Sequence, residues 1–250
     1  MIELSKELKV NAESKLERNV VEATPSPLSM ASFLASSVHD MKNSVSMLIG
    51  GLEKTLASAD TKDLAAYSEL MQMNHEAKRI NSNLIQLLTL YKLDQQIYPF
   101  DPQSICLDDF MVSMMAQNKA LLKSHGITLE VHADPGLFWY FDEDLIGGVV
   151  GNALNNAMRY TRDRINLIAK ESNSMLELRI EDNGSGYPAV MLQESIDIKR
   201  GVDFQGGSTG LGLYFSAVVA RLHHNRGQLG DVMLENGGSL TGGCFVLHLP

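Results

Sequence analysis

Leu34, Val38, Met41, Val45, Leu48 and Leu52 recur at alternating steps of four and three residues, with Leu56 one turn further on. That stepping is a heptad seam and predicts a long helix. A polar break, Ser58-Ala59-Asp60-Thr61, separates it from a second run with the same stepping: Leu70, Met73, Ala77, Ile80, Leu84, Leu87 and Tyr91. Two such helices joined by a short turn make an αα-hairpin. A hairpin alone covers both seams poorly, so a homodimer closing a four-helix bundle is the economical arrangement. Upstream, residues 1–27 are charged and end in Thr24-Pro25-Ser26-Pro27, which reads as a helix or flexible arm stopped by proline. Ser29 is a candidate cap for the first seam helix.

Tyr98-Pro99-Phe100-Asp101-Pro102 ends the second helix and marks a domain boundary, giving a hairpin over 28–97 and a second domain over 98–250. There the pattern changes. Strand-like alternation covers 127–131, 164–169, 175–180 and 245–249, and helical runs cover about 142–160 and 211–223. The fold class expected is α+β: the N-terminal hairpin, then an α/β sandwich with helices on one face.

Composition narrows the function classes. A hydrophobic content of 44% supports a sizeable core, and a net charge of -9 argues against nucleic acid as a partner. The charged start is no signal peptide, and no stretch approaches the roughly 20 apolar residues of a membrane helix, so membrane insertion is not expected and the reading is cytoplasmic. Cys106 and Cys244 are too isolated for a disulfide framework or a zinc cluster.

Three segments of the second domain carry candidate chemistry. On the 142–160 helix, Asn152, Asn156 and Tyr160 are spaced i, i+4, i+8 and share one face. Asparagine is a poor helix-interior residue, so two stacked on one face call for a reason, and an amide oxygen suits Mg²⁺ as a hard neutral donor. Next, Asp182-Asn183-Gly184-Ser185-Gly186 comes directly after an apolar strand, where the carboxylate can accept from the exocyclic amine of adenine and the glycines let the backbone pass close to a base. By itself that pattern is equally a turn. Finally, Gly206 to Leu213, including Thr209, Gly210, Leu211 and Gly212, opens a helix whose first amides and dipole favour an anion. The intervening stretch, Tyr187 to Gln205 with Lys199 and Arg200, would serve as a lid.

In this order the three segments resemble the N box and the two glycine boxes of sensor histidine kinases, in the superfamily that includes gyrase and the heat-shock chaperone ATPases. The resemblance runs from about Leu28 to Pro250. It implies that ATP is the nucleotide, that Asn156 holds Mg²⁺, that Tyr160 packs near adenine, that Asp182 binds the adenine amine and that Arg159 lies near phosphate. The hydrolysing ATPases of the superfamily carry glutamate where this chain has Asn152. An amide cannot take a proton from water at neutral pH, which favours transfer to another acceptor.

The acceptor is read in the first helix, at Ser37-Val38-His39-Asp40-Met41-Lys42-Asn43. Val38 and Met41 belong to the seam, so His39 sits beside it and faces outward. A neutral imidazole nitrogen is a competent nucleophile near pH 7, and Asp40 can hold or deprotonate the ring. Asn43 lies one turn on, where the resemblance implies Asn or Thr positioning a water that cleaves phosphate from a partner's aspartate. The expected partner is a response-regulator receiver domain.

The chain departs from the family in three places. Ser44 stands where a helix-kinking proline is common, Ile196, Ile198 and Phe204 replace the phenylalanine-rich part of the lid, and a sensor domain ahead of the hairpin is not expected from residues 1–27. Histidine kinase is the first reading. A nucleotide-controlled regulator or phosphatase that docks a receiver domain is the second, and a chaperone-like or gyrase-like ATPase is disfavoured by Asn152 and the hairpin.

Overall fold

The computed structural model describes residues 30–58, 64–193 and 210–250. The expected arm at 1–27, the Ser29 cap, the break at Ala59-Asp60-Thr61, the lid from 194 to 205 and Thr209 lie outside the described residues.

Helices α1 (Met30–Ser58) and α2 (Leu64–Asp94) pack along each other. Ser46 Oγ donates to Asn81 Oδ1 at 3.4 Å, and Lys78 Nζ meets Glu53 Oε1 at 2.6 Å. Positions rise on α1 as they fall on α2, so the helices are antiparallel. Their seams divide into two lines. Val38 is 7% exposed, and Val45, Leu52, Leu70, Ala77 and Leu84 are half-buried. Met41 at 50%, Leu48 at 64%, Met73, Ile80 and Leu87 stay open. Each helix covers one line of its seam on the other and leaves the second bare. α1 continues through Ser44, whose Oγ donates to the Asp40 carbonyl at 3.0 Å.

The rest builds a five-stranded mixed sheet and two short two-stranded ribbons. After β1 (Gln103–Cys106) and α3 (Leu107–Ser124) come β2 (Thr128–Ala133), β3 (Phe138–Phe141), α4 (Glu143–Tyr160), β4 (Arg164–Ser172) and β5 (Met175–Asp182). The chain continues with α5 (Ala189–Gln193), α6 (Leu211–Leu222), the short β6 (His224–Asn225) and β7 (Gln228–Leu229), β8 (Asp231–Gly237) and β9 (Gly242–Leu249). The five-stranded order is β2-β4-β5-β9-β8, with β2 and β4 parallel and the other pairs antiparallel. β1 and β3 form a separate antiparallel ribbon, and β6 and β7 another. The expected strands and the helices at 142–160 and 211–223 are present within a few residues; α3, the β1–β3 ribbon and β8 are additional.

Alternation along the strands sorts the two faces of the sheet. Ile165 and Leu167 of β4, Leu176, Leu178 and Ile180 of β5, and Phe245, Leu247 and Leu249 of β9 join the core with α3, α4 and α6. The intervening β5 residues Glu177, Arg179 and Glu181 form a charged ladder on the other face, where Arg179 reaches Glu177 at 3.3 Å, Glu181 at 3.2 Å and Glu235 at 3.1 Å. Asp182 continues the line of Leu176, Leu178 and Ile180. The strand therefore delivers its last carboxylate to the helix-covered side.

Candidate functional site

Asp182 is buried at the end of β5. Its Oδ1 accepts from the amides of Gly184 at 2.7 Å and Gly243 at 3.3 Å, while Oδ2 has no hydrogen bond among the described residues. One oxygen is thus fixed and the other is left to accept. Gly184 presses on the end of α4: a Cβ there would overlap the Tyr160 carbonyl. Gly186, at φ 78°, lies against the Asn236 amide.

On α4, Leu145, Val149, Val150, Ala153, Leu154 and Ala157 are buried, and they fix the face on which Asn152 and Asn156 sit half-buried. A Cβ at Gly212 would overlap the Asn152 amide, so the first turn of α6 rests directly on this asparagine. Gly210 precedes α6 in the left-handed conformation without a side-chain cap, and Leu211, the first helical residue, is half-buried. The first amides of α6 therefore lack intrahelical partners beside Asn152. Tyr160 is exposed, and the Arg159 guanidinium lies 5.5 Å from its ring centroid. All three segments read from the sequence thus meet: Gly212 on Asn152, Gly184 on Tyr160 and on Asp182.

His39 lies elsewhere, on α1. Its side chain is 58% exposed, and its described polar partners are on its own helix, Asn43 Nδ2 at 3.3 Å and Asp40 Oδ1 at 3.7 Å, both from Nδ1. The outward orientation expected from the seam is the one the structure has.

Residues 141–250 match the family model described as Histidine kinase-, DNA gyrase B-, and HSP90-like ATPase. This part of the chain is a histidine kinase-type ATPase domain. Over nearly the whole chain the sequence is homologous to sensor kinases: Sensor protein SrrB of Staphylococcus aureus is 26% identical over 226 residues, covering 87% of this chain and 37% of that protein. The chain thus spans little more than a third of the length of the curated relatives it matches. The fold is shared with full-length ShkA in complex with AMPPNP, at TM-score 0.58 and 17% identity over 87% of this chain and 45% of that one. It is shared too with the Acinetobacter baumannii histidine kinase AdeS, at TM-score 0.53 and 15% identity over 84% and 96%. Among the described residues no helix is long and apolar enough to cross a membrane.

Within the ATPase domain, several residues without a legible role in the sequence build the site. Asn183 Oδ1 accepts from Thr161 Oγ1 at 2.8 Å and from the amides of Arg162, Asp163 and Arg164 at 3.1 to 3.2 Å, while its Nδ2 donates to Asp163. One amide ties the end of α4 to Asp182. The Tyr187 ring lies against Gly243, which borders the Asp182 carboxylate, and burial together with the Asp182 charge pushes its phenol above the ordinary range. Asn236 holds the Tyr187 backbone by two bonds, of 2.6 and 2.9 Å. The visible signal was the Gly242-Gly243 pair opening β9, since glycine in a strand marks a close approach. A Cβ on either would press against Asp182.

Proposed function

We propose that this chain is an ATP-dependent protein histidine kinase that autophosphorylates His39 and passes the phosphoryl group to an aspartate of a response-regulator receiver domain. The meeting of Asn152, Tyr160, Asp182 and the start of α6, on a chain that also presents an exposed His39 with its own carboxylate, carries this reading. Asp182 Oδ2 accepts from the adenine amine, Gly184 and Gly186 let the base approach, and Tyr160 packs beside it with Arg159 toward phosphate. The amides of Gly210, Leu211 and Gly212, with Thr209 before them, serve the phosphates. Asn152 supplies no base for water, so transfer to the histidine prevails over hydrolysis.

Mg²⁺ fits the donors present. Among the described residues no three His, Cys, Asp or Glu could cage an ion, and the Asn156 amide has no hydrogen bond. One neutral oxygen completed by water and phosphate is a set Mg²⁺ favours. Mg²⁺ held there by the Asn156 oxygen would supply neutralisation of the charge that develops on the phosphates.

At His39 the Nε2 lone pair attacks the γ-phosphorus, the bond to the β–γ bridging oxygen breaks, ADP departs, and the Nδ1 proton passes to Asp40. The bare line of Met41, Leu48, Met73, Ile80 and Leu87 supports a homodimer closing a four-helix bundle. Asn74 Oδ1 and Gln86 Oε1, buried on α2 without a partner among the described residues, also mark an unfinished packing surface. The division into arm 1–27, hairpin 28–97 and catalytic domain 98–250, and action in the cytoplasm, complete the proposal.

A second reading, a phosphatase or docking regulator without significant autophosphorylation, is favoured by Asn43 on the ring nitrogen of His39. Incubation with Mg²⁺ and γ-labelled ATP separates the two. Acid-labile label on the wild type, lost in His39→Ala and Asn156→Ala, supports the kinase; nucleotide binding without label sinks it.

A further inference from the structure

We propose that Tyr98, Asp142 and His223 form a latch that fastens the segment leaving α2 to the ATPase domain and sets the posture from which that domain must move to reach His39. Asp142 does two jobs. Its Oδ1 caps α4 by accepting from the Leu145 amide at 3.0 Å, and its carboxylate also receives the linker, from Tyr98 OH at 3.4 Å on Oδ1 and from the Asp101 amide at 3.2 Å on Oδ2. His223 completes the fastening. Its Nδ1 lies 2.8 Å from the Val219 carbonyl, an acceptor, so the proton sits there and Nε2 is free to accept from the Asp142 amide at 3.1 Å. Phe100, also on the linker, sets its ring edge-on to His223 at 5.1 Å.

Location gives the latch its consequence. Asp142 immediately precedes α4 and His223 comes immediately after α6, the two helices that carry Asn152 and Gly212. The latch lies about 15 Å along α4 from Asn152, outside the nucleotide contacts. Leu90 at the end of α2 and Tyr98 pack on the ATPase core as well, so residues 95–102 are a joint closed on both sides. The described polar partners of His39 are all on α1. On this proposal the ATPase domain reaches His39 by opening this joint, and the joint's strength limits the rate of labelling.

The inference rests on the kinase reading, and Asp142→Ser in the full chain tests it. Serine still caps α4 but is too short to hold Tyr98 and Asp101. The dissociation constant for a non-hydrolysable ATP analogue with Mg²⁺ is expected within about twofold of wild type, amide exchange over 98–102 faster, and label on His39 appearing about fivefold faster. Phe100→Ala, which leaves the cap intact, should move exchange and labelling the same way. Exchange and labelling at wild-type rates in both variants would overturn the latch. If the wild type takes no label, the kinase reading falls, and the exchange at 98–102 alone decides whether the joint is fastened.

Discussion

Asn43 Nδ2 lies 3.3 Å from His39 Nδ1, the same ring nitrogen that Asp40 Oδ1 approaches to 3.7 Å. The two neighbours demand opposite tautomers. An amide donating to Nδ1 leaves the proton on Nε2, whereas a carboxylate accepting from Nδ1–H leaves Nε2 with its lone pair. Asn43→Ala gives Nδ1 to Asp40: labelling of His39 should hold or rise, while dephosphorylation of a phosphorylated receiver domain falls about tenfold or more. Asp40→Asn should slow labelling about a hundredfold. Single-turnover assays read both, and loss of labelling in Asn43→Ala would refute the tautomer account.

Gly212 and Asn152 touch so closely that a methyl group on the glycine has no room. Gly212→Ala should weaken binding of an ATP analogue by about tenfold, roughly 1.4 kcal/mol. In an Asn152→Ala background, where the amide is gone, the same substitution should cost much less. Titration calorimetry on the four variants gives the cycle, and equal costs in both backgrounds would show that the contact is not what limits position 212.

Ser44 keeps both a backbone N–H and a hydroxyl on the Asp40 carbonyl side of α1. Ser44→Pro removes both and should cost on the order of 3 kcal/mol while bending the helix below His39. Thermal melting tracked by helical circular dichroism checks this. An unchanged midpoint would mean that the helix tolerates a bend there already.

Burial holds His223 below the ordinary histidine range, with His224 pushing the same way and the Val219 carbonyl and Asp142 opposing. Above about pH 6.5 the group is neutral in both folded and unfolded chains and its contribution is complete. As pH falls further the unfolded chain takes up a proton that the folded one refuses, so stability declines toward the depressed folded value. Melting temperatures should therefore drop below about pH 6.5, and His223→Gln should flatten that slope even if it melts lower at neutral pH. Parallel slopes would assign the acid sensitivity to another group.

Much of this was legible because polar residues stood where apolar ones were expected. Asn152 and Asn156 interrupt a buried face of α4, and Asp182 ends an apolar strand, so each announced itself locally. α3 is absent from the elements expected from the sequence, which place a domain boundary at 98–102 and nothing between it and 127, although Phe110, Met111, Met114 and Leu122 are helically spaced and buried. β8 is an edge strand with broken alternation and so weakly written. His223 offered no pattern at all: its partner Asp142 is 81 residues away, and such a pairing exists only in the fold. Tyr187 and Asn236 meet by the same kind of long-range closure.

The chain contains two Asn-Gly pairs, Asn183-Gly184 and Asn236-Gly237, and both asparagine side chains are tied beside Asp182 or Tyr187. Such pairs age chemically when the glycine nitrogen attacks the side-chain carbonyl, expels ammonia and leaves an acidic residue. Here the Gly184 nitrogen is engaged with Asp182, and the Asn183 amide is locked by its own five bonds. The folded site thus protects its own covalent structure. A molecule that opens there loses that protection, so stored protein will gain negative charge and lose its nucleotide site together.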